Sequence, residues 1–169
     1  MQNEENCRDN AGDAGVDINR NFETFWKQRG KCDDQYGGES PFSEPETRAV
    51  RDYINRIRRD SSLKAAIDVH SFAEVFFIPD NTTSAIRDKL INIGKLMAAA
   101  IKEVDSTADY EVETVPKFFK HYESCVPGAT GVIGRAGGNS MDWFFHGAGN
   151  CFKILSLREA FKKRRSILG

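Results

Sequence analysis

No stretch of this 169-residue sequence approaches the roughly 18 consecutive apolar residues that a membrane-spanning helix needs. No membrane partner is expected on that ground. The opening "MQNEENCRDN" has no apolar leader core, so either the protein is cytosolic or the chain does not begin where its ancestor began. Neither sign of charge is in excess: 24 Lys and Arg stand against 25 Asp and Glu, a net charge of -1. Bulk attraction for nucleic acid or anionic lipid is therefore excluded as a driving force. The basic run "KKRR", Lys162 to Arg165, reads as a solvated helix end. The four cysteines, Cys7, Cys32, Cys125 and Cys151, form no CxxC pair, which argues against a structural zinc cluster. One or two disulfides would require an oxidising compartment.

What is present is ordinary for a globular chain: 40% hydrophobic and 29% charged residues. The length suits a single domain, or a large part of one, around one core. The Ser43–Glu46 spacing in "SEPE" predicts a capping box, with Pro45 tolerated in the first turn. A helix follows to about Arg59, with Val50, Tyr53, Ile54 and Ile57 on one face and five arginines elsewhere. "LKAAIDVH" and "VFFIP" read as short buried strands, the second stopped by Pro79. From Thr83 to Val104 the residues Ile86, Leu90, Ile93, Met97 and Ile101 keep helical spacing. "YEVETV" alternates as a strand, residues 116–139 read as a long loop, and "CFKILSL" is the last strand. Strands alternating with helices predict an α/β fold with a sheet covered on both faces. With no repeat, linker or low-complexity tract, one domain over 1–169 is expected.

Chemistry enters at "GVDINRNF", Gly15 to Phe22. Val16 and Ile18 alternate with Asp17 and Asn19 as at the end of a half-buried strand, and an Asn-Arg-Asn triplet interrupts them. Arg20 offers a fork of donors that matches a carboxylate, and an amide can brace that fork. On these residues alone, a solvated strand-to-loop junction and an anion-gripping arginine both fit. His70, at the end of "AAIDVH", likewise reads either as a satisfied structural histidine or as a ligand delivered by a strand.

Taken with "PFSEPETRAV", "AAIDVHSF", "GGNSMDW" and "CFKILSLRE", this stretch closely resembles the zinc metallocarboxypeptidases of the carboxypeptidase A type, from about Arg8 to Glu159. The resemblance implies a mixed β-sheet with helices on both faces and removal of C-terminal residues from peptides by zinc-activated water. The partner implied is a peptide or protein C-terminus, and the family is mostly secreted or vesicular. Asn19 and Arg20 match the pair that grips the substrate's C-terminal carboxylate. His70 matches the third zinc ligand, Ser71 a residue facing the substrate backbone, and Met141 the floor of the side-chain pocket. Met at that place implies a preference for apolar C-terminal residues.

Other positions depart from the family. Two of its zinc ligands come from a His-x-x-Glu motif upstream of the third, and this chain contains none; its other histidines are His121 and His146. Ser156 holds the general-base position on the last strand and Gly134 the place of the tyrosine that closes over substrate. Glu4 aligns nearest the oxyanion arginine, where a negative charge would oppose the developing oxyanion. The family's N-terminal part and its C-terminal helix have no counterpart in the 169 residues. The expectation is a partial metallocarboxypeptidase domain, inactive as it stands. The alternative is a non-catalytic binder of peptide C-termini or an inert remnant. Zinc is the family's cofactor, and this chain alone, with one matched ligand, is expected not to hold it. A strand deprived of its neighbour would leave an exposed sheet edge and favour self-association.

Overall fold

The structure, a computed structural model, describes residues 15–60, 63, 65–71, 74–79, 82–114, 137–147 and 154–159. These fall into two units, one comprising the described residues of 15–66 and 137–147, the other those of 67–114 and 154–159.

The first unit is built on helix α1 (Pro45–Asp60), which ends with Arg58 and Arg59 in its last turn, where cations complement the helix dipole. Its start differs from the expected capping box. The Ser43 hydroxyl donates to the Glu44 carboxylate at 2.7 Å and accepts from Asn21 Nδ2 at 2.7 Å. The leading amide of Glu44 donates to Asn21 Oδ1 at 3.2 Å. A side chain 23 residues upstream thus occupies the end of the helix, and the local serine is drawn into the same network. The apolar face is also narrower than the periodicity suggests. Ile54 and Thr47 are buried, while Val50 is 37% and Tyr53 55% exposed. Arg56 stacks on the Tyr53 ring at 5.2 Å, so that ring is shielded by a cation and not by a core.

Residues 16–22 do not form a strand. Ile18–Arg20 is a single 3-10 turn with Asp17 as its N-cap, and Asp17 Oδ1 accepts from Asn19 N at 2.9 Å. This local bond offers the backbone an alternative to a sheet ladder, which is why alternation misleads here. The aromatic cluster of this unit joins Phe22, Phe42, Trp143 and Phe144 at centroid separations of 5.5–6.4 Å. Cys32, in the loop before α1, is disulfide-bonded. Cys7, Cys125 and Cys151 lie outside the described residues.

The second unit holds a four-stranded sheet of β1 (Ala66–Ser71), β2 (Val75–Ile78), β3 (Glu111–Thr114) and β4 (Ile154–Glu159), in the order β1-β4-β2-β3. It is mixed, as expected: β2 runs parallel to β3 and antiparallel to β4. The register sets Val75 beside Glu111 and Ile78 beside Thr114, and pairs Phe77 with Ser156. Every residue of β2 is at most 2% exposed, the continuous apolar run of a strand covered on both faces. Helix α2 (Ser84–Val104) is the crossover between β2 and β3 and packs on β2, β3 and β4. Its buried residues are Leu90 and Gly94. A Cβ on Gly94 would lie 2.8 Å from Val112 Cγ1, so glycine lets the helix approach β3. The loop expected over 116–139 falls mostly outside the described residues. Its end forms a turn at Gly137–Gly138 that leads into a helical turn, Ser140–Asp142, and a π-type turn, Trp143–Gly147. The expected C-terminal basic run lies outside the described residues as well.

Candidate functional site

The turn that carries Arg20 is fixed on several sides. Phe22 N donates to Gly138 O at 2.8 Å, and Gly138 N donates to Thr24 O at 2.9 Å, a two-way clamp between the two segments. Asp17 N donates to Tyr36 O at 2.8 Å, and Phe42 N to Asn21 O at 2.7 Å. Phe42 is held at φ 57°, a left-handed conformation that a bulky residue adopts at a cost of about 1–2 kcal/mol. Edge-on packing against Phe22 and Trp143 offsets that cost, and Arg51 covers the ring at 5.1 Å.

Within this frame the three polar residues of the Asn-Arg-Asn triplet do different work. Asn19 Oδ1 accepts from Ser140 N at 2.9 Å, which ties the turn to the segment bearing Met141 and fixes which end of the amide can donate. Arg20 Nη1 donates to Asn19 O at 2.7 Å, while Nε is buried without a hydrogen-bond partner. The nearest carboxylate to Nε is Asp17 Oδ2 at 3.9 Å, too long for a hydrogen bond. Arg20 is thus held at one nitrogen, and its guanidinium carries the planar fork of donors that suits an anionic acceptor. Asn21 points inward and is fully buried. Its Nδ2 meets Gly37 O at 2.6 Å, Ser40 O at 2.9 Å and Ser43 Oγ, and its Oδ1 accepts from Glu44 N and Thr47 Oγ1.

Met141 is 6% exposed in the turn capped by Asn139, whose Oδ1 accepts from Asp142 N at 2.7 Å. Asn19, Arg20 and Met141 are therefore brought together in the first unit by the Ser140 bond. Sequence reasoning missed Asn21, Phe42, Gly138 and Asn139, which hold that arrangement. The one signal for Asn21 was its place as the second amide of the triplet.

His70 and Ser71 close β1 in the second unit. His70 Nε2 lies 2.8 Å from Asp68 Oδ2, and both side chains are about three-quarters buried. Ser156 sits in β4 opposite Phe77, and Gly134 is outside the described residues. A tetrahedral catalytic zinc takes three protein ligands and a water. Among the described residues, no three His, Cys, Asp or Glu side chains gather as such a set. The histidine–carboxylate pair alone does not fit the family's metal.

A family model described as zinc carboxypeptidase, peptidase M14, matches residues 1–158. Human carboxypeptidase B is 30% identical over 135 residues, covering 78% of this chain and 29% of that protein. A zinc carboxypeptidase of Simulium vittatum is 30% identical over 139 residues, covering 78% of this chain and 40% of its own. Among solved structures, the carboxypeptidase A of Helicoverpa armigera superposes with a TM-score of 0.63 at 27% identity, over 85% of this chain and 32% of that one. Bovine thrombin-activatable fibrinolysis inhibitor, solved with a tick carboxypeptidase inhibitor, reaches a TM-score of 0.67 at 23% identity, over 85% and 45%. The chain thus spans less than half the length of these relatives and shares their fold over most of its own. It belongs to the zinc carboxypeptidase family.

Proposed function

We propose that this chain is the substrate-gripping portion of a metallocarboxypeptidase domain, which binds the free C-terminal carboxylate of a peptide at Arg20 and does not hydrolyse the peptide by itself. The observation that carries this reading is the Arg20 turn, where the Asn19 carbonyl holds Nη1 and Asn19 Oδ1 accepts from Ser140 N beside Met141. The carboxylate would bridge the guanidinium fork, Asn19 would add an amide donor, and Met141 would line an apolar side-chain pocket.

Ser156 supports the non-hydrolytic half of the proposal, because a serine hydroxyl does not take a proton from water near neutral pH as a carboxylate does. Zinc, where the family binds it, activates that water and polarises the carbonyl. One matched histidine falls short of the ligands such a site needs. After dialysis the protein should carry well under one zinc per chain. Stoichiometric zinc that disappears in His70→Ala would overturn this part of the reading.

The carboxylate grip is tested by calorimetry with peptides ending in Phe or Leu and their C-terminal amides. A charge-assisted bond contributes about 1.5–3 kcal/mol, so the acids should bind roughly tenfold or more tightly than the amides. Arg20→Ala should erase that difference. Arg20→Lys should restore only part of it, since a point charge does not reproduce the fork. Equal affinity for acid and amide, or none for either, would leave an inert remnant as the better description.

A further inference from the structure

The short turn that carries Met141 is closed by two side chains that the carboxylate grip does not use. Asn139 and Asp142 are 8% and 7% exposed. Asn139 Oδ1 accepts from Asp142 N at 2.7 Å, an ordinary N-cap bond, while Asn139 Nδ2 donates to Asp142 Oδ2 at 2.8 Å. The Asn139 carbonyl takes a third bond, from Trp143 N at 3.2 Å. Only Ser140 and Met141 lie between the two ends of this clasp.

We infer that Asn139 is a positioning residue that sets selectivity for the peptide's last side chain, because its clasp on Asp142 holds Met141 in place. This rests on the reading that Arg20 takes the carboxylate and Met141 lines the side-chain pocket, and it deepens that reading. A cap alone needs only Oδ1, which serine or aspartate would supply as well. What the amide adds is a donor to a carboxylate with little access to water. A buried carboxylate is costly unless its oxygens are hydrogen-bonded. Without Nδ2 the Asp142 side chain is driven toward solvent. A three-residue turn has no slack to absorb that movement, so Met141 moves with it. The carboxylate grip is anchored on the other side of residue 139. Gly138 exchanges its two backbone bonds with Phe22 and Thr24, and the Asn19 carbonyl holds Arg20 Nη1. Recognition of the carboxylate and recognition of the side chain therefore separate at Asn139.

Calorimetry of the full chain with three peptides, ending in Phe, in Ala and in Phe amide, reads both kinds of recognition. The parent should prefer the Phe acid to the Ala acid by roughly tenfold or more, the contribution of burying a large side chain. Asn139→Ser keeps a cap oxygen and loses the amide donor. It should cut the Phe-over-Ala preference to about threefold or less, and reduce the acid-over-amide preference by a smaller factor. Asn139→Asp should cut the Phe-over-Ala preference as far, because two buried carboxylates then face each other. Adding Asp142→Asn should restore it, since donor and acceptor have exchanged places across the same contact. That rescue is one a general folding defect would not give. If Asn139→Ser keeps the full Phe-over-Ala preference, or loses both preferences equally, or if the double exchange recovers nothing, Asn139 does not set the pocket and the Arg20 reading stands without it. A parent that does not tell acid from amide would remove that reading and this inference together.

Discussion

Replacing Gly138 by alanine should lower the stability of the chain by about 2–3 kcal/mol and remove its preference for acid over amide peptides. Gly138 sits at φ 77°, where an L side chain is strained, and a Cβ there would be driven into the carbonyl oxygen of Arg20. The strain alone is about 1–2 kcal/mol. The clash adds to it, because the two hydrogen bonds that Gly138 exchanges with Phe22 and Thr24 leave that carbonyl nowhere to retreat. Relief therefore comes from rotating the Arg20 peptide, which moves the guanidinium away from where the Asn19 carbonyl holds it. Gly30 is the control: nothing lies within 4 Å of a Cβ built on it, so Gly30→Ala should change stability by no more than about 0.5 kcal/mol. Urea unfolding of both variants, with calorimetry on the acid and amide peptides, measures the two effects. If Gly138→Ala unfolds with the parent and keeps the acid preference, the close approach does not set the Arg20 geometry.

The contrast between Gly30 and Gly138 shows what could be read without coordinates. Helix α2 was legible because its spacing of Ile86, Leu90, Ile93, Met97 and Ile101 encodes one face, and Leu90 is indeed fully buried. Strand β2 was legible because four apolar residues before a proline fit a buried strand, and all four are buried. The first stretch failed where local chemistry outweighs pattern. Val16 and Ile18 alternate, but the Asp17 carboxylate bonds the Asn19 amide and closes a 3-10 turn. At α1, a serine and a glutamate at box spacing predicted a local cap, and a buried asparagine from another segment displaced it. The left-handed Phe42 leaves no trace in sequence, since nothing in its residue type favours that conformation. Family membership was legible in a different way. "DINRNF" and "SEPETRAV" together are specific, and the structure adds a physical reason for the pair. The first supplies Asn21, and the second supplies Ser43, Glu44 and Thr47, the groups that Asn21 binds.

That pairing makes Asn21 a residue whose loss should weaken the first unit strongly. Asn21→Ala should cost about 3 kcal/mol and lower the thermal midpoint by roughly 6–12 °C. Its amide is fully buried and uses both ends. Truncation leaves the Glu44 amide without its partner and opens a void at a fully buried site. Two neighbours are less exposed to the loss. Gly37 O still receives Trp26 Nε1 at 3.0 Å, and Thr47 Oγ1 still donates to Glu44 O at 3.0 Å. Asn21→Asp separates cavity from polarity, because the shape is kept and only the donor end changes. Its Oδ1 can still accept from Glu44 N and Thr47, but an oxygen replaces Nδ2 against the carbonyls of Gly37 and Ser40, so lone pairs face lone pairs. Asn21→Asp should therefore destabilise at neutral pH about as much as Asn21→Ala. Thr47→Val, which removes the hydroxyl proton shared between Asn21 Oδ1 and the Glu44 carbonyl and keeps the volume, should cost only about 1 kcal/mol. Thermal unfolding of the three variants tests the order. An Asn21→Asp protein as stable as the parent would mean that the donor end does not hold the Arg20 turn to α1, and that the aromatic cluster alone joins them.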